Sequence, residues 1–358
     1  MRNFLLLGMA LAICVSLMEV AVRVADPPLL HLGETVLLMS AVPQREAEGS
    51  LRFPPNSEVR EAVVVGGRIE YDVRFHTNNF GRVDHRDYYP VIRPATAYAL
   101  LGDSYAMGVE GGEPWAPKLR DAYGLELYNF GMGAVGVAEF SRIVRQEAAH
   151  LWFSDIVIVA ISDDFNRPLF DLQVDGQSVK FLVQGESAAA SRARPPLVHL
   201  VDFTIGEAGL LARAKQIRDG ATAVDAGAGS LRRVLRQSKL LLFLKRLVKP
   251  IVQGRKLHST QHELNLAALG EIRRAFPERH IRFIHVPDKF EVARGRYDLA
   301  LADPVKDQGI EYLPALERCG FSVALFYTND NHLNRKGYQH LRECVARLLE
   351  LTPPSVAP

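Results

Sequence analysis

From residue 95 onward, short apolar runs alternate with stretches of helical length, and that alternation confines the chain to an α/β architecture. The runs at 98–101, 125–128 and 156–161 are strand-like, while 115–122 and 138–150 between them have the length of helices. Strands separated by single helices read as βαβ units, whose crossovers return the chain in one direction and so build a parallel sheet. The pattern resumes late in the chain. A helix is predicted over 264–276, strands over 281–286 and 322–326, and a closing helix over 335–351. One α/β domain is therefore expected in two parts, 95–171 and 260–358. With 358 residues and 48% hydrophobic side chains, the chain is long enough for a substantial core.

The intervening 172–259 differs in composition and is predicted to be a helical, partly basic insertion. It contains Ala188-Ala189-Ala190-Ser191, a Gly/Ala-rich segment over 220–229, and a stretch over 231–256 in which Arg and Lys flank Leu240-Leu241-Leu242-Phe243-Leu244. Such a helix more often packs on a core with its basic face solvated than lies on anionic lipid or an acidic polysaccharide. Ahead of the domain, alternating runs at 61–65 and 69–75, broken by Gly66-Gly67 and Asn78-Asn79, predict a small β-rich lead-in over 26–94.

At the N-terminus an apolar run from Phe4 to Met18 is interrupted by Glu19 and resumes from Val20 to Val24 around Arg23. This pattern reads as an export signal. Cleavage after Ala21 or Ala25 would leave Glu19 or Arg23 three residues before the cut, where a small residue is needed. An uncleaved anchor over 1–25 is therefore expected rather than a cleaved signal peptide, since the run approaches the ~20 residues a bilayer requires. The anchor would sit in the inner membrane with the folded part extracytoplasmic (periplasmic), and cleavage would instead make the protein secreted. Basic and acidic residues nearly balance, 43 against 41, so no nucleic acid partner is expected. With Cys14 in the apolar run, only Cys319 and Cys344 remain as a pair able to bridge. Nothing in their placement supports a bridge, and two isolated thiols are the plainer expectation.

The strongest chemical signal is Leu100-Leu101-Gly102-Asp103-Ser104-Tyr105-Ala106-Met107-Gly108, a serine at the carboxyl end of a strand. Open α/β sheets bind their ligands there. A free hydroxyl is a poor nucleophile, so a base and a group that orients the base must also be present. Both stand near the far end, in Asn329-Asp330-Asn331-His332-Leu333-Asn334-Arg335-Lys336-Gly337-Tyr338. No Cys/His spacing suggests a metal site, and Asn129 to Gly136 lacks the acidic partner of a dinucleotide fingerprint. Neither a cofactor nor a metal is expected. Taken singly, Gly-Asp-Ser is a common turn sequence, and Asn334 reads as a helix cap.

Together, however, Gly102-Asp103-Ser104, Asn129-Phe130-Gly131-Met132-Gly133-Ala134-Val135-Gly136 and Asp330-Asn331-His332-Leu333-Asn334 stand in the order of the GDSL/SGNH hydrolase superfamily, which this chain resembles. Thr77-Asn78-Asn79-Phe80-Gly81-Arg82 is similar to the Asn-rich segment that precedes the first block in many extracytoplasmic members. The resemblance covers roughly 77–167 and 262–351. It implies a three-layer α/β/α, flavodoxin-like fold with Ser104 as nucleophile, His332 as general base and Asp330 as orienting acid. It implies oxyanion donors at Ser104 N–H and at the backbone of Ala134, or of Gly133 if the register shifts by one. Asp103 matches a block residue with a structural role.

Two positions depart from the family pattern. Asp163 stands where a third-block Asn usually offers its side chain to the oxyanion, and an ionised carboxylate there would repel it. Losing one such donor costs about 2.7–4 kcal/mol of transition-state stabilisation. Either Asp163 is protonated, or Asn166 substitutes, or activity is low. In the last block the usual acid position is Asn329, and Asp330 takes the two-residue spacing found in some polysaccharide-modifying members. The reading is a serine esterase for acyl, in the first instance acetyl, esters of small molecules or cell-envelope and exported glycans. An O-acetyltransferase shares this machinery, and a non-catalytic glycan-binding or assembly protein is the third alternative. The oligomeric state is not legible.

Overall fold

The computed structural model describes residues 35–45, 49–90, 96–112, 114–187, 196–224 and 259–352, together with positions 14, 15, 17, 18, 20 and 21. The chain divides into two compact units. The larger comprises Leu37–Ala62, Tyr71–Ile205 and Leu257–Pro358. The smaller comprises Met1–Val36, Val63–Glu70 and Gly206–Lys256.

The N-terminal strands are β1 (Val36–Met39), β2 (Gln44–Arg45), β3 (Leu51–Arg52), β4 (Glu58–Val65) and β5 (Arg68–His76). In β5, Tyr71, Val73 and Phe75 turn inward while Asp72, Arg74 and His76 face out, the two-residue period of a half-buried strand. The central domain then runs β6 (Ala97–Gly102), α1 (Ser104–Met107), α2 (Trp115–Tyr123), β7 (Glu126–Asn129), α3 (Val137–Glu147) and β8 (Asp155–Ala160). Next come β9 (Phe170–Asp175), β10 (Ser178–Val183), β11 (Val198–Leu200) and, in the smaller unit, α4 (Glu207–Val224). The central domain resumes with α5 (Ser259–Ala275), β12 (His280–His285), α6 (Lys289–Arg294), α7 (Ala302–Asp307), β13 (Glu311–Pro314), α8 (Ala315–Cys319) and α9 (Arg335–Leu348).

The central sheet has the order β13-β12-β8-β6-β7 with every pairing parallel. Counted along the domain this is 2-1-3-4-5, the flavodoxin-like doubly wound order. Helix α2 packs with α9, and α3 with α5. Right-handed crossovers put those pairs on opposite faces of the sheet, which completes three layers. On one face Leu100, Val157, Val159 and Ile284 from the sheet belong to the same buried cluster as Trp115, Leu119, Leu341 and Val345. The sheet order reverses between β6 and β8, so the crevice for a ligand opens at their carboxyl ends.

Three expectations need correction. The segment 322–326 is not a strand: Val323–Leu325 forms a 3₁₀ turn, and Phe326 makes one bridge to Leu333. The fifth strand is β13, whose Pro314 is tolerated because the strand lies at the sheet edge. The 172–259 segment is not helical throughout, because β9 and β10 pair antiparallel and β11 pairs parallel with β1. The lead-in and the start of the interruption thus share one sheet, ordered β5-β4-β1-β11-β10-β9. An unpaired β1 would have left a row of backbone groups open, and β11 satisfies them. The basic stretch 231–256 lies outside the described residues, as does most of the apolar run 4–24, although its six described positions are helical. Among the described residues no helix is long and apolar enough to cross a membrane.

The third correction concerns the thiols. Cys319 at the end of α8 and Cys344 within α9 form a disulfide, with Cα atoms 5.6 Å apart and a sequence separation of 25. The closed loop contains the whole segment that carries Asp330 and His332. A loop of that length constrains the unfolded chain by about 3.5 kcal/mol. Replacing both cysteines by Ala is expected to lower the urea-unfolding free energy by that amount, and reductant should destabilise the natural chain but not the double variant.

Candidate active site

Ser104 is placed by a strand that ends on a glycine. Gly102 has φ 155°, and a Cβ there would lie 2.2 Å from the Val159 carbonyl of the neighbouring strand, so only Gly lets β6 run this close to β8 at the turn. Asp103 then caps α1, its Oδ1 accepting from Tyr105 N–H at 2.8 Å, and Ser104 occupies the first helical position. Its N–H therefore has no acceptor within the helix. The Trp115 indole N–H donates to the Tyr105 carbonyl at 2.8 Å and ties α2 to this turn.

The partner residues come from the loop before α9. Asn334 caps that helix through Lys336 and Gly337 N–H, and its own N–H bonds the Leu325 carbonyl. Tyr327 N–H bonds the His332 carbonyl, Tyr105 O–H donates to the Asn331 carbonyl at 2.6 Å, and Lys289 N–H donates to Asn331 Oδ1 at 3.0 Å. Held at these points, the loop lets Asp330 Oδ1 accept from the backbone N–H of His332 at 2.8 Å, an Asx turn. The same oxygen lies 2.5 Å from His332 Nδ1. His332 Nε2 in turn lies 2.9 Å from Ser104 Oγ. Ser104, His332 and Asp330 thus form one hydrogen-bonded line. The two-residue spacing works because the Asx turn folds the carboxylate back beside the imidazole.

Electrostatics follow from this burial and pairing. Burial alone would lower the His332 pKa and raise that of Asp330. The mutual charge and hydrogen bond prevail, holding Asp330 below the usual carboxylate range. His332, facing Asp330, Glu110 and Asp103, is held up to about 10.

The second block lies against this turn. Asn129 is buried, and its Oδ1 accepts from Gly131 N–H at 3.0 Å, while Met132 N–H bonds the Gly102 carbonyl at 3.0 Å. A Cβ on Gly131 would meet Met107 N at 2.4 Å, so this glycine is what brings the block against α1. With the preceding N–H groups engaged, the next along the chain are Gly133 and Ala134. A Cβ on Gly133 would stand 4.0 Å from Ser104 Cβ, which sets that peptide beside the hydroxyl. Ala134 has φ 66°, a left-handed conformation uncommon for a residue with a side chain.

The third block differs from the expectation of a carboxylate facing the site alone. Asp163, half exposed, has its Oδ2 3.3 Å from Arg167 Nε. Arg167 Nη1 reaches Asp103 Oδ2 at 2.9 Å and the Val135 carbonyl at 3.2 Å. It also lies 2.8 Å from Asp164 Oδ1, without hydrogen-bond geometry. A cation therefore neutralises part of the acidic cluster beside Ser104. Asn166 is half-buried and its Oδ1 has no partner. Sequence reasoning missed Arg167, whose only signal is a cation following two Asp residues. It also missed Glu110, an acid set among glycines six residues after the serine.

No family model matches the chain, and no curated protein does. Among solved structures, several are similar at a distance, and three of them are these. One is LAE5, an alpha/beta hydrolase enzyme from the metagenome of Lake Arreo, Spain, at 10% identity and TM-score 0.37 over 73% of this chain and 97% of that one. Another is the acetyl xylan esterase Est2A from the rumen bacterium Butyrivibrio proteoclasticus, at 7% identity and TM-score 0.31 over 89% and 90%. The third is the salicylyl-acyltransferase SsfX3 from a tetracycline biosynthetic pathway, at 11% identity and TM-score 0.27 over 88% and 77%. These superpositions are too loose to bear on the chemistry of this chain. Its own fold and geometry define a flavodoxin-like α/β protein carrying a Ser-His-Asp line at the switch point of its sheet.

Proposed function

We propose that this chain is a serine esterase of SGNH type that forms an acyl-enzyme on Ser104. The observation that carries the reading is the unbroken line from Asp330 through His332 to Ser104 Oγ, the last step 2.9 Å, within the reach a working nucleophile and base require. Attack joins Ser104 Oγ to the acyl carbon while the hydroxyl proton passes to His332 Nε2. The resulting oxyanion faces Ser104 N–H and the backbone of Gly133 and Ala134. The imidazolium then protonates the leaving alcohol, the carbon–oxygen bond breaks, and water or a sugar hydroxyl takes the acyl group in a second round. Asp330 does not accept the proton; it fixes the imidazole tautomer and faces its charge.

Short acyl chains, acetyl first, and carbohydrate or envelope glycan esters are the proposed substrates. Membrane anchoring through 1–25 and an extracytoplasmic site are proposed with them. The Cys319–Cys344 bridge supports this location, since disulfides persist in oxidising compartments. The test is covalent. A fluorophosphonate is expected to add one adduct to the full chain and none to Ser104→Ala, and the natural chain should release acetate from an aryl acetate. Adding a glycan acceptor then separates hydrolase from transferase by whether the acetyl group appears on water or on sugar. A folded chain with neither adduct nor acetate release would make it a binding protein.

A further inference from the structure

The line of three side chains leaves unexplained a fourth ionisable group that touches the imidazole. Glu110, in the 3₁₀ turn Val109–Gly111 that follows α1, is buried, and its Oε1 lies 3.6 Å from His332 Nε2. Its Oε2 accepts from Tyr338 O–H at 2.7 Å, and its carbonyl accepts from Tyr327 O–H at 2.6 Å. Helix α9 and the His332 loop therefore each supply a tyrosine that fixes this residue. Burying a carboxyl against an imidazole is costly unless the two exchange charge or a proton, so packing alone is a poor account of it.

Resting on the esterase reading above, we propose that Glu110 is a positioning residue for His332: its carboxylate holds the Nε2 edge of the imidazolium formed during attack, as Asp330 holds the Nδ1 edge. When Ser104 loses its proton, the imidazolium carries N–H on both nitrogens. Nδ1–H stays with Asp330. Nε2–H is shared between the departing oxygen and Glu110 Oε1 until the leaving alcohol takes it.

Other groups face the pair. Asp103 and Tyr105 come from the nucleophile turn, Asp330 and Tyr327 from the loop, Tyr338 from α9, and Lys289 from α6 faces Asp330. From the N-terminal sheet comes Glu61, hydrogen-bonded by Tyr71 O–H at 2.9 Å. Burial and the charge of Glu110 push Glu61 up to about 8, so it is neutral through most of the working range. Burial also pushes Glu110 up, but the facing His332 charge opposes that rise. With Oε1 3.6 Å from Nε2, Glu110 is the carboxyl beyond the triad placed to answer the imidazolium directly.

The test is the pH dependence of kcat/KM for the full chain and its Glu110→Gln variant. A base must be unprotonated, so activity climbs with pH along the acid limb, and removing an opposing charge at this distance is expected to move that limb down by about one pH unit or more. A packing role would lower activity without moving it. The same shift is expected in the NMR titration of the His332 ring, assigned with His332→Asn. Absence of ester turnover would refute the esterase reading, while that titration would still judge Glu110. If Glu110→Gln does not fold, Tyr338→Phe decides: losing the bond to Oε2 favours the neutral carboxyl and should move the titration the same way, by less. An unmoved midpoint in the folded variant overturns the proposal.

Discussion

Replacing Asp330 by Asn is expected to lower kcat by about 10⁴-fold while KM changes little, the loss seen when the orienting acid of a Ser-His-Asp line becomes an amide. The amide preserves shape and can still accept from His332 N–H, where Asp330 Oδ1 now accepts at 2.8 Å. It cannot match the negative charge, and it permits the wrong imidazole tautomer, with Nε2 protonated toward Ser104. Asn329→Ala is the companion variant. In the pattern this chain resembles, the acid sits three residues before the histidine, at Asn329, yet the oxygen 2.5 Å from His332 Nδ1 is Asp330 Oδ1. Steady-state kinetics on an aryl acetate with both variants checks the assignment. A large loss in Asn329→Ala with little in Asp330→Asn would return the acid role to the family position.

The central sheet was legible because β6 and β8 are buried on both faces and read as near-continuous apolar runs, while β12 still offers Ile281, Phe283 and Ile284. The edge strand β13 offers only Tyr312 and Leu313 before a proline, too little for any period. In β9, Asp171, Gln173 and Asp175 alternate with Leu172 and Val174, yet most of the strand stays solvent-facing, so pairing rather than hydrophobic pattern specifies it. The disulfide was half legible: with Cys14 set aside, Cys319 and Cys344 were the one pair able to bridge, but spacing does not say whether two thiols meet. Within the site, Ser104, Asp330 and His332 were readable because each sits in a turn with its own local chemistry. Glu110 and Arg167 act only through groups the fold brings to them: Glu110 meets a histidine from the opposite end of the chain, and Arg167 meets Asp103 on another strand's turn. Asp163 was read against the asparagine it replaces, whereas its partner is the cation four residues later.

The second large effect concerns Thr77-Asn78-Asn79-Phe80-Gly81-Arg82, a segment whose resemblance to a family lead-in says nothing of its physical purpose. In the fold it is a turn that delivers a cation to the core. Asn78 Oδ1 accepts from Phe80 N–H and Arg82 N–H, Gly81 N–H bonds the Asn78 carbonyl, and Thr77 O–H donates to the Pro54 carbonyl at 2.7 Å. So held, the fully buried Arg82 donates to the Leu51 carbonyl at 2.8 Å, to Ser50 Oγ at 2.9 Å and to Glu147 of α3 at 2.6 Å. Glu147 is itself buried, so Arg82→Met leaves a carboxylate in the interior with no cation beside it. The expected loss is about 3–5 kcal/mol in urea unfolding. Because an ion pair in the interior is itself costly to desolvate, Arg82→Met with Glu147→Leu should recover most of the loss. Per folded molecule, ester turnover should be retained in both variants, since neither side chain touches Ser104 or His332. Stability unchanged while turnover falls would instead make Arg82 part of the site, and the turn a device for catalysis rather than for holding α3.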